Sequence, residues 1–344
     1  METIAGINVG PVTNWLAEHV GLVAPLQFEL IAGGRSNLTF RVTDAASRTV
    51  ALRRPPVSHV LPTAHDMVRE HTIIAALEPL GVPVAKPLGL CTDPTVNDSP
   101  FYVMAFVDGF ILRDRDQAEA AFDEATRATI GENLAATLAR LHDVDPDEAG
   151  LGDLARHDGY VERQLRRWRT QYEQMRVDGA DHHRLIEDVG DRLAARIPVQ
   201  QRTAIVHGDY RLDNTVLDAT GSVAAILDWE ICTLGDPLAD VGVMLDYWSE
   251  PTDEVAALLG AAPSTAPGFI SRAELLAAYG RHSNLDLSEV AYYQSFGYWK
   301  LACILQGVYA RYSAGATAGD QGSVTDFPKH IATLAELARQ ILEQ

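Results

Sequence analysis

Residues His207 to Asn214 read His-Gly-Asp-Tyr-Arg-Leu-Asp-Asn, and Asp228-Trp229-Glu230 begins fourteen residues beyond Asn214. The flanking segments say what this spacing is for. Ala204-Ile205-Val206 is a short apolar run that suits a buried strand, so the polar stretch from His207 to Asn214 is a loop. Thr215-Val216-Leu217 and Val223-Ala224-Ala225-Ile226-Leu227 are rich in branched residues and read as two strands. Asp218-Ala219-Thr220-Gly221-Ser222 is the turn between them. A hairpin of that length is expected to return Asp228 to the side of Asn214. Asp209, on the same loop, is a candidate to orient and deprotonate a hydroxyl. Asn214 and Asp228 offer the hard oxygens that magnesium prefers. The competing expectation is a polar loop whose Asp and Asn merely cap turns. The strand before the loop and the hairpin after it weigh against that reading.

The segment resembles the His-Gly-Asp-x-x-x-x-Asn catalytic loop of the aminoglycoside phosphotransferase and choline kinase superfamily. Asp228-Trp229-Glu230 resembles that group's counterpart of the protein-kinase Asp-Phe-Gly, and Asp236-Pro237-Leu238-Ala239-Asp240 its Asp-Pro-x-x-Asp segment. Within the superfamily the chain is most similar to bacterial phosphotransferases related to kinase-like domains fused to acyl-CoA dehydrogenases. The resemblance implies an α+β, bilobal protein-kinase-like fold, with a small β-rich N-lobe and a large, mainly helical C-lobe. It places a nucleotide-binding lobe at residues 1–104, a hinge linker at 105–109 and a catalytic and acceptor-binding lobe at 110–344. It implies ATP and Mg2+, with Asp209 as the catalytic base, Asn214 and Asp228 as metal ligands, and His207 and Asp240 as supports of the loop.

The first hundred residues fit that frame. Phe28 to Ile31 and Leu38 to Val42 read as strands, joined by Ala32-Gly33-Gly34-Arg35-Ser36-Asn37. Gly33, Gly34, Ser36 and Asn37 are candidates to cover phosphates, because small residues let backbone N–H groups approach an anion closely. Thr49 to Arg54 is a third strand. Its Val50-Ala51-Leu52-Arg53 resembles the kinase Val-Ala-Ile-Lys, with arginine in the lysine position. Strand alternation puts Ala51 and Arg53 on one face, and the resemblance implies that Ala51 lines the adenine pocket and Arg53 reaches the phosphates. Guanidinium is planar and larger than ammonium, so the replacement is not conservative. A helix within residues 62–80 carries Glu70, expected to pair with Arg53. The strand from Pro100 to Val107 leads into the linker, where backbone groups of Ala105 and Val107 are expected to read an adenine edge.

Further along, one long helix is expected from about Ala118 to His142, with Ile130, Leu134, Leu138 and Leu141 on its apolar side and His142 packed or capping. Helices follow from Tyr160 to about Arg176, from Asp181 to Arg196, and over most of the chain beyond Asp240. His182-His183 lies in a polar stretch and is expected to be solvated. The arginines at 163, 166, 167 and 169 read as a solvated face. The aromatic run from Tyr292 to Trp299 is expected to divide between core and acceptor pocket.

With 28 basic and 47 acidic residues the net charge is -19, which argues against nucleic acid or an anionic membrane as a general partner. No apolar run reaches membrane-spanning length, and the N-terminus lacks a signal-peptide pattern. Cys91, Cys232 and Cys303 are few, far apart and odd in number, which suits the reducing cytoplasm. The expectation is a cytoplasmic monomer or homodimer that phosphorylates a hydroxyl of a small molecule. A nucleotide-binding pseudokinase, serving as a regulatory or scaffold module, is the alternative that Arg53 favours. A protein kinase is disfavoured by His-Gly-Asp, by Asp-Trp-Glu and by the lack of an Ala-Pro-Glu segment.

Overall fold

A computed structural model of the chain describes residues 4–31, 37–57, 66–177, 182–253, 262–313 and 326–344. The elements run in order α1 (Val9–His19), β1 (Gln27–Leu30), β2 (Leu38–Thr43), β3 (Thr49–Arg54), α2 (Met67–Leu77), β4 (Pro87–Cys91) and β5 (Phe101–Ala105). Next come α3 (Arg115–Ala121), α4 (Glu124–Asp143), α5 (Tyr160–Gln174), α6 (His183–Ala195) and β6 (Ala204–Val206). The hairpin strands β7 (Thr215–Leu217) and β8 (Val223–Ile226) precede β9 (Thr233–Gly235). Helices α7 (Leu238–Tyr247), α8 (Arg272–Arg281), α9 (Val290–Ser313) and α10 (Phe327–Leu342) complete the described chain.

These elements fall into two compact units. The first holds residues 1–110 together with 215–218 and 223–231; the second holds the remainder. The first unit is built on an antiparallel sheet of order β1-β2-β3-β5-β4. Alternation sorts its faces: Phe40, Val42, Val50, Leu52, Phe101 and Val103 pack with Val12 and Leu16 of α1 in one core. Ala51 and Arg53 point the other way, as the period of two requires. The β7–β8 hairpin joins this unit through Ile226 N–H, which donates to Pro83 O at 2.8 Å, and through paired bonds between Phe110 and Leu217. The second unit is mainly helical. Helices α7 and α9 pack so closely that a Cβ on Gly242 would lie 2.6 Å from the carbonyl carbon of Tyr293. The short β6–β9 pair sits among these helices.

Two local expectations are corrected, and a third segment is described beside them. The single helix from Ala118 to His142 is two, α3 and α4. Phe122 is extended, and Asp123 caps α4 by accepting the Thr126 N–H at 2.8 Å, a side-chain bond that starts a new helix. His182 and His183 are buried rather than solvated. His182 Nε2 lies 2.8 Å from Gln306 Oε1, and His183 bonds Tyr172 and the Val177 carbonyl. Within the Tyr292–Trp299 run, Tyr292, Tyr293, Phe296, Tyr298 and Trp299 are all buried. Four of them anchor a polar tip on another element: Tyr292 on Leu193 O, Tyr293 on Asp236, Tyr298 on Asp246 O and Trp299 on Ile186 O. Such braces serve the core, and Trp299 also lines a cavity with Arg169 and Gly190.

Candidate active site

The loop after β6 is held from several sides within the second unit. Asp240, in the first turn of α7, accepts the His207 N–H on Oδ2 (2.6 Å) and the Gly208 N–H on Oδ1 (2.7 Å). His142 Nε2 stands 3.3 Å from the same Oδ2, and its Nδ1 is 2.8 Å from the Tyr279 hydroxyl. Burial works against an ionised Asp240, yet bonds from His142 and the loop N–H groups and the nearby His142 and His207 hold its pKa below the usual carboxylate value. Gly208 has φ +87°, a left-handed conformation that glycine adopts without steric cost. Tyr210 is buried and donates to Leu134 O at 2.9 Å, which pins the loop to α4.

The geometry at Asp209 is selective. Its Oδ2 accepts Asn214 Nδ2 at 2.8 Å and lies 3.3 Å from Arg211 Nε. Asn214 Nδ2 also donates to the Asp209 carbonyl at 2.8 Å. Asp209 Oδ1 has no hydrogen-bond partner among the described residues, so one oxygen of a fixed carboxylate remains to accept a proton. With its nitrogen committed, Asn214 presents its amide oxygen as the group left for a cation. The Arg211 guanidinium stacks 4.6 Å over the Tyr247 ring and also pairs with Asp213 at 3.2 Å. Arg113, Arg211, Asp213 and Tyr247 line a small depression beside this loop.

The first unit carries a second cluster. Arg53 on β3 donates from Nε to Glu70 Oε2 at 2.9 Å and from Nη2 to Asp228 Oδ1 at 2.6 Å; Glu230 Oε2 lies 3.9 Å from Nη2. The expected Arg53–Glu70 pair is therefore present, and its fork reaches Asp228 as well. Glu70 further accepts Asn37 Nδ2 at 2.9 Å and the Tyr102 hydroxyl at 3.0 Å. Asn37 also reaches Glu230 at 3.3 Å. Burial disfavours the charge on Arg53, but Tyr102, Glu70, Asp228 and Glu230 together keep it above its ordinary value. Burial likewise raises Glu70, with Arg53 and Tyr102 opposing. Asp228 adopts φ +62°, a conformation aspartate tolerates better than most residues.

The other expected positions distribute as follows. Ala51 is buried in β3, paired with Arg41 and Met104. The Ala105 N–H donates to Lys86 O at 2.8 Å, so it is already engaged in the sheet; Val107 lies beyond the strand end. Gly33, Gly34 and Ser36 lie outside the described residues. Tyr102, Arg211 and Tyr247 were not anticipated as parts of either cluster. No signal beyond proximity to the motifs marked them.

A β-sheet unit carrying an Arg–Glu pair, a helical unit carrying His-Gly-Asp, and an Asp-Trp-Glu hairpin together define a kinase-like fold. A profile of the phosphotransferase enzyme family matches residues 27–282, and the chain belongs to that family. A crystal structure from Ralstonia eutropha JMP134, provisionally described as an aminoglycoside phosphotransferase, is 30% identical with a TM-score of 0.80; the match covers 97% of each chain. Plasmodium vivax ethanolamine kinase superposes with a TM-score of 0.63 at 13% identity over 96% of this chain and 89% of its own, a likeness of fold. Mouse acyl-CoA dehydrogenase family member 10 is 33% identical over 91% of this chain, and chicken family member 11 is 34% identical over 89%. The matches span only 29% and 39% of those longer proteins.

Proposed function

We propose that the chain is a small-molecule kinase that moves the γ-phosphoryl group of ATP to a hydroxyl acceptor. The observation that carries this reading is Asp209: one carboxylate oxygen is fixed by Asn214 and Arg211, and the other is unpartnered among the described residues. In the proposed reaction, Asp209 accepts a hydrogen bond from the acceptor hydroxyl and takes its proton as the oxygen bonds to the γ-phosphorus. The bond from that phosphorus to the bridging oxygen breaks, and ADP leaves with the electron pair. Arg53, oriented by Glu70, contacts the nucleotide phosphates. Gly33, Gly34, Ser36 and Asn37 are proposed to cover them, Ala51 to face adenine, and the backbone near Ala105 and Val107 to read its edge.

The donor chemistry suits magnesium: Asp228 offers its second carboxylate oxygen, Oδ1 being paired with Arg53, and Asn214 an amide oxygen whose nitrogen is already engaged. These two residues would hold the ion, which would offset the negative charge of the phosphates. The acceptor belongs to the small hydroxylated compounds, with amino-sugars, amino alcohols and hydroxylated acyl compounds as the classes to try. The test is a panel of such compounds screened for magnesium-dependent ADP release. Release with one acceptor class, and phosphate recovered on that acceptor, supports the reading. ATP binding without consumption across the whole panel favours the pseudokinase.

A further inference from the structure

We infer that Lys300 is a positioning residue for Asp209, acting through the peptide group that joins Gly208 to Asp209. The inference rests on the phosphotransfer reading and adds to it a residue that no motif marks.

The argument begins with a break in pattern. Tyr293, Gly297 and Lys300 stand at i, i+4 and i+7 on α9 and so share one stripe of the helix. Tyr293 abuts Gly242 of α7 through its backbone, and a Cβ on Gly297 would lie 2.0 Å from Asp246 Oδ2. That stripe is thus the face α9 turns toward α7, where apolar side chains are the rule. A lysine there contradicts the local pattern, and such contradictions concentrate at functional sites.

Its contacts show what the lysine does. Lys300 Nζ donates to Gly208 O at 3.3 Å and lies 5.7 Å from the centre of the Trp168 ring on α5. The same peptide group is held at its other end, because the Asp209 N–H lies 3.3 Å from His207 Nδ1. Gly208 also donates its own N–H to Asp240. Gly208 tolerates a broad range of backbone angles, so the backbone just before Asp209 needs such clamps to hold one orientation. With the peptide plane fixed on one side and Oδ2 held by Asn214 and Arg211 on the other, the remaining Asp209 oxygen has little freedom. The groups facing the ammonium are Asp209 in the loop, Asp240 and Asp246 on α7, and Arg167 and Trp168 on α5. Burial, with Arg167 beside it, lowers the Lys300 pKa, and the three carboxylates oppose that.

The experiment compares wild type with Lys300→Met and Lys300→Arg in the full chain. Methionine keeps the stem and removes the donor. Arginine keeps a donor and a cation that can stack on Trp168. Lys300→Met is expected to lower kcat by roughly 100-fold, the scale of a 1 Å misplacement, with KM for ATP unchanged. Lys300→Arg is expected to recover most of that loss. Amide hydrogen exchange should rise in peptides covering residues 206–214 of Lys300→Met while the rest of the second unit keeps its protection. Equal kcat in wild type and Lys300→Met, or unchanged exchange at 206–214, overturns the inference. Loss of protection across the whole unit overturns it too, since Lys300 would then be a general packing residue. A wild type that binds ATP but phosphorylates nothing counts against the phosphotransfer reading alone, and the exchange comparison still decides the role of Lys300.

Discussion

Replacing Arg53 with methionine isolates the charge cluster of the first unit. Glu70 is 2% exposed at its side chain, Arg53 13% and Asp228 30%. Removing one partner of a buried ion pair costs about 3–5 kcal/mol, because the other charge stays desolvated. Glu70 keeps two donors, Asn37 and Tyr102, which moves the expected loss to the lower end, about 3 kcal/mol. Asp228 is exposed enough to rehydrate and adds little. In a double-mutant cycle with Glu70→Gln, the pair should be less destabilised than the sum of the singles by about 2 kcal/mol. The sign with pH is fixed by Glu70, whose folded pKa lies above its ordinary 4.5. A raised folded pKa means stability is lost as pH rises, and deleting Arg53 raises it further. The penalty should therefore be smallest in acid and grow as pH rises through the folded pKa of Glu70 in the wild type, itself above 4.5. Urea unfolding at several pH values reads both quantities. A loss under about 1 kcal/mol at neutral pH, the scale of a surface pair, would refute the claim that this ion pair is energetically buried.

Other expected outcomes concern the second unit and the metal. Asn214→Ala and Asp228→Ala should each raise the magnesium concentration needed for half-maximal turnover and lower the plateau, so that excess metal only partly restores activity; wild-type magnesium curves would remove them as ligands. Asp240→Asn should flatten the acid limb of stability. Because the folded pKa of Asp240 is depressed below 3.8, its contribution is present above that value and fades as pH falls, and only the wild type should show that slope in acid titrations. Gly242→Ala should destabilise by about 1–3 kcal/mol, because the new methyl would meet Tyr293 backbone that cannot step aside; thermal unfolding reads it directly.

The parts legible beforehand were those whose pattern is local. β3 runs from Thr49 to Arg54 as its branched residues and alternation indicate, and β7 and β8 bracket the Gly221 turn. Edge strand β4 was not foreseen, because it begins at Pro87, contains Gly89 and so lacks a strand's usual signature. β9 is three residues long, too short for any periodicity, and is defined by its pairing with β6. The break before α4 turns on the cap at Asp123, which reads on paper as one more polar residue on a long helix. Of the candidate residues, Arg53 and Glu70 in the first unit and Asp209 and Asn214 in the second stand in motifs or at expected intervals. Tyr102 and Lys300 do not: the first reaches from β5 to Glu70 on α2, and the second reaches Gly208 from a helix 92 residues later. Both are consequences of packing between distant segments, which no single-sequence period encodes.

The sharpest trial sets Asp209→Asn beside wild type, with ATP, magnesium and an accepted hydroxyl compound, following phosphate on the acceptor by phosphorus NMR and nucleotide affinity by calorimetry. Positioned base chemistry is typically worth about 10²–10⁴ in rate, so transfer should fall by that factor while nucleotide affinity stays near wild type. Undiminished transfer by the variant would remove Asp209 from the reaction and with it the phosphotransfer mechanism proposed for this chain.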